Sequence, residues 1–139
     1  MTKTMYATLA LVTTVAFAGP AFADKYKAML DGKSESPPTT STGTGTADID
    51  YDAATKKLSW KLTYTGLSGP ATAAHFHGPA EAGKNAGVEV AIPGATSSPA
   101  EGSATLTDAQ AADLAAGKLY VNVHTAANPA GEIRGQVTK

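Results

Sequence analysis

Between Lys57 and Leu67 the chain reads KLSWKLTYTGL, and its large apolar residues fall on every second position. Leu58, Trp60, Leu62 and Tyr64 share one side of an extended segment, and Ser59, Lys61 and Thr63 share the other. A period of two is what a half-buried β-strand requires, because successive side chains point to opposite faces of a sheet. The pattern recurs along the chain. KYKAML (25–30), TADIDYD (46–52), ATAAHFH (71–77), GVEVAIP (87–93), GSATLT (102–107), KLYVNVHT (118–125) and GEIRGQVT (131–138) are further short segments, separated by runs rich in Gly, Pro, Ser and Thr. TADIDYD and KLSWKLTYTGL read as a pair joined at AATK, and the last two segments as a hairpin around AANPA. One stretch departs from the period: TDAQAADLAAGK has Thr107 as N-cap, Gln110 to complete a capping box, several alanines and Gly117 as a stop. It predicts one short helix over 108–116. About eight short strands with turn signals between them predict an all-β fold, an antiparallel β-sandwich or flattened Greek-key barrel. Trp60 and Met29 are expected in its core.

The start of the chain follows a different logic. MTK gives a short positive opening, MYATLALVTTVAFAG is an apolar run too short for a spanning helix, and AFA at Ala21–Ala23 has the small-residue spacing of a signal-peptidase site. Residues 1–23 are expected to be a cleaved signal peptide, Asp24–Lys139 a single domain, and the product periplasmic or secreted. From Asp24 onward ten basic residues face twelve acidic ones, a net of −2. That balance argues against nucleic acid or an anionic membrane as partner, and no later run is apolar enough to predict a membrane span. The chain has no cysteine. A core rather than disulfides must hold it, and any metal must be bound by nitrogen and oxygen.

The three histidines are His75 and His77, in AAHFHG, and His124, in YVNVHT. On a strand His75 and His77 project from one face with Cα atoms roughly 6.6 Å apart, while Phe76 points into the core. Imidazoles so spaced can converge on one ion at about 2.0–2.1 Å. In the other segment Val121 and Val123 mark the core side, so Tyr120, Asn122 and His124 share the opposite face. His124 is thus a candidate third ligand.

AHFHGPA at 74–80, followed by YVNVHT, NP and GEIRGQ within 120–136, resembles the CHRD domain, a family named after a repeat in chordin. The resemblance covers essentially all of Asp24–Lys139 and implies an immunoglobulin-like β architecture. It does not fix an activity; in chordin such domains belong to an extracellular binding protein. A His-x-His strand pair with a distant histidine is also similar, over those few residues, to the copper site of copper–zinc superoxide dismutases. This chain departs from that pattern in having no disulfide cysteines, no histidine-rich zinc loop and no fourth histidine, which leaves a copper-only site.

Three neutral imidazoles suit copper first in affinity, with zinc as the alternative. The expected function is a mononuclear copper enzyme acting on superoxide, with oxygen and hydrogen peroxide as products. Arg134, the one arginine of the chain, is the expected catalytic cation that guides the anion, and Glu132 and Asn122 are expected around the ligands, Glu132 to orient an imidazole. A solvated Glu132/Arg134 pair on a final edge strand is the competing reading of GEIRGQ. Two other functions stay open: a non-catalytic metal-binding protein or copper carrier, and an extracytoplasmic protein-binding module with incidental histidines. A homo-oligomer is compatible with all three. No triad order, phosphate-binding glycine loop or nucleotide fingerprint points to a hydrolase or a nucleotide enzyme.

Overall fold

The computed structural model describes residues 23–139. The expected signal peptide lies, but for Ala23, outside the described residues. Eight strands form: β1 (Asp24–Asp31), β2 (Thr44–Asp52), β3 (Lys57–Thr65), β4 (Ala71–His77), β5 (Val88–Ala91), β6 (Ala100–Thr105), β7 (Tyr120–Thr125) and β8 (Ile133–Gln136). One helix, α1 (Asp108–Ala115), lies between β6 and β7. All pairings are antiparallel, in the order β5-β4-β7-β8-β1-β2-β3-β6. The sheet is bent into a nearly closed, flattened barrel, as the alternation predicts. β1, β2 and β3 form a meander, and the β3–β4 connection then crosses from one half of the sheet to the other.

Alternation fills the interior. Tyr26, Ala28 and Leu30 of β1, Ile49 and Tyr51 of β2, and Leu58, Trp60 and Leu62 of β3 are buried, and their neighbours face out. Phe76 of β4 enters from the opposite half and meets Trp60 with ring centroids 5.2 Å apart. Val121, Val123 and Ile133 complete that side. Met29 does not join them: it is 65% exposed, because Ala28 and Leu30 on either side of it take the inward positions.

Helix α1 forms as its capping residues dictate. Thr107 Oγ1 accepts from the Gln110 amide (3.2 Å), and Gln110 Oε1 accepts from the Thr107 amide (2.9 Å). Gln110 also donates to Glu89 of β5, which fastens the helix to one sheet edge, while Leu114 inserts into the core.

The seam between β8 and β1 decides where the site can lie. β8 is flanked by β7 and β1, so the edge-strand reading of GEIRGQ does not hold. The strands approach so closely that a Cβ on Gly135 would collide with the Met29 carbonyl. On the outside of β4, β7 and β8, cross-strand register aligns His75 with Asn122, Asn122 with Arg134, His77 with Tyr120, and Tyr120 with Gln136. Directly opposed residues project to the same face, so one polar sheet face carries them all. Two loops close over it. Ser36 of the β1–β2 loop donates to Gly83 O (3.0 Å), and Asn85 of the β4–β5 loop donates back to Ser36 O (2.7 Å). Thr39 donates to Glu132 O (2.7 Å), and Gln136 donates to Ala80 O (2.7 Å). A face that alternation assigns to solvent becomes an interior.

Candidate metal centre

β4 and β7 bring the three imidazoles together. Ala73 pairs with His124, and the same face of β4 then carries His75 and His77. One nitrogen from each ring can be chosen so that all three lie within 4.8 Å of one another. His75 Nδ1 and His124 Nε2 are 3.0 Å apart. Ligand nitrogens held about 2.05 Å from a shared ion would be roughly 2.9 Å apart in cis square-planar positions and roughly 3.3 Å apart in a tetrahedron. The His75–His124 pair therefore stands at the spacing a transition-metal ion requires, with a His77 nitrogen within 4.8 Å of both.

Backbone carbonyls orient two of the rings. His77 Nδ1 lies 3.0 Å from Ala86 O, and His124 Nδ1 lies 2.9 Å from Pro129 O. A carbonyl oxygen only accepts, so both rings carry their proton on Nδ1 and leave a lone pair on Nε2, that of His124 facing His75 Nδ1. His77 Nε2 is buried and has no hydrogen-bond partner. Burial, reinforced by the neighbouring rings, lowers the pKa of His75. His77 is lowered by burial too, against the Ala86 hydrogen bond. Both favour the neutral form that a metal requires.

His77 is the first layer of a stack. Its ring lies parallel to that of Tyr120, 4.9 Å away at 4°, and the Arg134 guanidinium carbon is 3.5 Å from the Tyr120 ring centre on the same ring system. Tyr120 is fixed by its hydroxyl, which donates to Ala86 O (3.2 Å) and accepts from Ala86 N (3.0 Å). One residue of the β4–β5 loop thus anchors both His77 and Tyr120.

The CHRD domain model matches residues 26–137. The chain belongs to the CHRD-domain family. No curated protein and no solved structure matches it.

In this CHRD domain the other expected residues divide. Asn122 is buried between the strands beside His77, with its Nδ2 donating to Ala130 O (3.3 Å). Arg134 shares the polar face but is only 1% exposed, and its guanidinium packs on Tyr120 while donating to Asn85, the Glu81 carbonyl and Gln136. Its charge therefore reaches the histidines by way of Tyr120. Glu132 touches none of the imidazoles. Its carboxylate accepts from the Ser41, Ser68 and Thr125 hydroxyls, the Ser68 amide and Asn128 Nδ2, so the expectation that it orients a histidine is corrected. It fastens three loops instead.

Sequence reasoning missed Glu35. This acid of the β1–β2 loop is 6% exposed and lies beside Asn122 and Arg134. Its surroundings, DGKSESPP, read as a surface loop, and only the fold-back onto β8 gives it meaning. The orienting groups on His77 and His124 are main-chain oxygens, which no sequence motif reveals.

Proposed function

We propose that this CHRD domain is an exported metalloprotein whose His75, His77 and His124 hold one copper ion, and that it disproportionates superoxide. The observation that carries the reading is the pair of carbonyl-fixed imidazoles, His77 and His124, each with its lone pair on Nε2, that of His77 unpartnered and that of His124 3.0 Å from His75 Nδ1. All three donors are nitrogens, with no thiolate and no carboxylate among them, which suits copper ahead of other divalent ions. Copper would supply the one-electron chemistry. The chain's own residues hold the rings neutral and oriented, and Tyr120 walls one side of His77. Arg134 adds positive charge behind that wall, which favours approach of a small anion. Export to the periplasm agrees with a leader-like start.

The test measures metal content and superoxide dismutation on one sample of the exported protein, grown with copper and zinc both present and purified without chelators. About one copper per chain with rapid dismutation is expected, and His124→Ala is expected to lose both. Zinc, or copper without dismutation, would replace the enzyme reading with a structural or carrier role; no metal at all would leave the binding-module reading.

A further inference from the structure

Four buried side-chain atoms among the described residues have no hydrogen-bond partner: Glu35 Oε1, Asn122 Oδ1, His77 Nε2 and the Trp60 indole nitrogen. The first three belong to one cluster. Asn122 is the polar side chain placed beside both the Glu35 carboxyl and the His77 imidazole. The Glu35 and Asn122 side chains also meet at Gly131, where φ is +128° and a Cβ would strike both. Buried polar atoms are nearly always satisfied, so three together mark a place where water or a ligand is handled.

The far end of this cluster reaches solvent. Glu35 lines a cleft of about 460 Å³ with Lys33, Ser34, Ser36, Arg134 and Gln136. The groups facing its carboxyl are Arg134 from β8, Asn122 from β7 with His77 of β4 beyond it, and Lys33, Ser34 and Ser36 of its own loop. Glu35 makes no direct ion pair: the salt bridges among the described residues are all at the surface, and none includes Arg134.

We propose that Glu35 is the proton-delivery residue of the histidine centre, taking protons from solvent through this cleft and passing them by way of water held at Asn122 to the His77 side. The role rests on the reading of the histidines as a redox metal centre. Superoxide that gains one electron from the reduced metal must also gain two protons to leave as hydrogen peroxide. Glu35 gives one of them and is reprotonated from the cleft; the second comes from solvent. Arginine cannot serve, because its guanidinium stays protonated. Glu132, the other buried acid, is held at about 2 by its hydrogen bonds and keeps no proton to give. Burial pushes Glu35 the other way, against Arg134, Asn122 and the Ser36 amide. Two carboxyls in one protein are thereby set to opposite tasks.

The experiment compares wild type with Glu35→Gln at equal copper content, following dismutation from pH 5 to pH 9. The glutamine variant is expected to bind copper normally, to be slower by roughly a hundredfold at pH 8, and to recover partly with ammonium ion as a small proton donor. In the metal-free protein it is also expected to be more stable than wild type at pH 8 and not at pH 4. A carboxyl whose folded pKa is raised costs stability only once the pH exceeds its unfolded value. Should the glutamine variant not fold, Glu35→Asp keeps an ionisable group and is expected to retain a pH-dependent rate at reduced speed. Identical pH profiles in equally loaded wild type and variant would overturn proton delivery and leave the metal reading intact. Copper-loaded wild type that does not dismutate superoxide would overturn both, and that failure is recognised because it appears before any substitution.

Discussion

Glu132 has no exposed surface and keeps its charge. Burial alone would raise its pKa, but donors from Ser68, Thr125 and Ser41 outweigh that and hold it at about 2. Relative to an ordinary value of 4.5 this corresponds to about 3 kcal/mol of stability. Because the folded value is depressed, that stability is present above the unfolded pKa and drains away as the pH falls from about 5 towards 2. Replacing the residue with Glu132→Gln should cost about 2–3 kcal/mol at pH 7, with the difference from wild type closing near pH 2. Urea unfolding at a series of pH values measures it, and a pH-independent difference would show that packing, not charge, is what Glu132 contributes. None of this depends on the histidines. Alternation around Ile133 sets Glu132 apart from the apolar core, but two of its partners, Ser68 and Ser41, come from loops 64 and 91 positions away, which no local pattern encodes.

β8 shows how an element can be legible in type and illegible in setting. GEIRGQVT reads as a strand, and it is one over Ile133–Gln136, paired with β7 in the expected hairpin. Its second partner, β1, is more than a hundred residues earlier, and only that pairing makes it an interior strand. Gly135 records the contact, since any larger residue would press on the Met29 carbonyl. Gly135→Ala is therefore expected to lower stability by about 2–4 kcal/mol and to open the β1–β8 seam. Denaturation midpoints together with amide exchange across Lys27–Leu30 check this; protection lost evenly over the whole sheet would argue against a local seam. The helix is the opposite case, written almost wholly in its own residues. The Thr107 and Gln110 capping box stands as the sequence predicts, and Thr107→Ala should cost about 1 kcal/mol. The histidine constellation falls between these cases. His75, His77 and His124 each announce their face by alternation, but the covering loops bring in Glu35, the Ala86 and Pro129 carbonyls and the burial of Arg134.

At the scale of the molecule, a barrel without disulfides is closed by hydrogen bonds, packing and, on the proposed reading, one ion. That ion would join β4 to β7 and, through Ala86 and Pro129, tie down the loops that follow each strand. Such a site exists only in the folded chain, so metal must stabilise the fold by mass action. At a free metal concentration a hundredfold above Kd the gain is about 2.7 kcal/mol. For a domain of this size that is a rise of roughly 10 °C in Tm. Chelation should reverse it. His124→Ala should abolish the rise while changing the metal-free Tm less, since the partly exposed imidazole lost there makes two hydrogen bonds, to His75 and to the Pro129 carbonyl, together worth about 1–2 kcal/mol. Calorimetry with and without copper, and separately with zinc, separates the readings. A copper rise lost in the variant places the ion at the histidines. An equal rise in both proteins puts the metal elsewhere, and a rise with zinc alone makes the centre a structural clamp on the β4–β7 face and not a redox site.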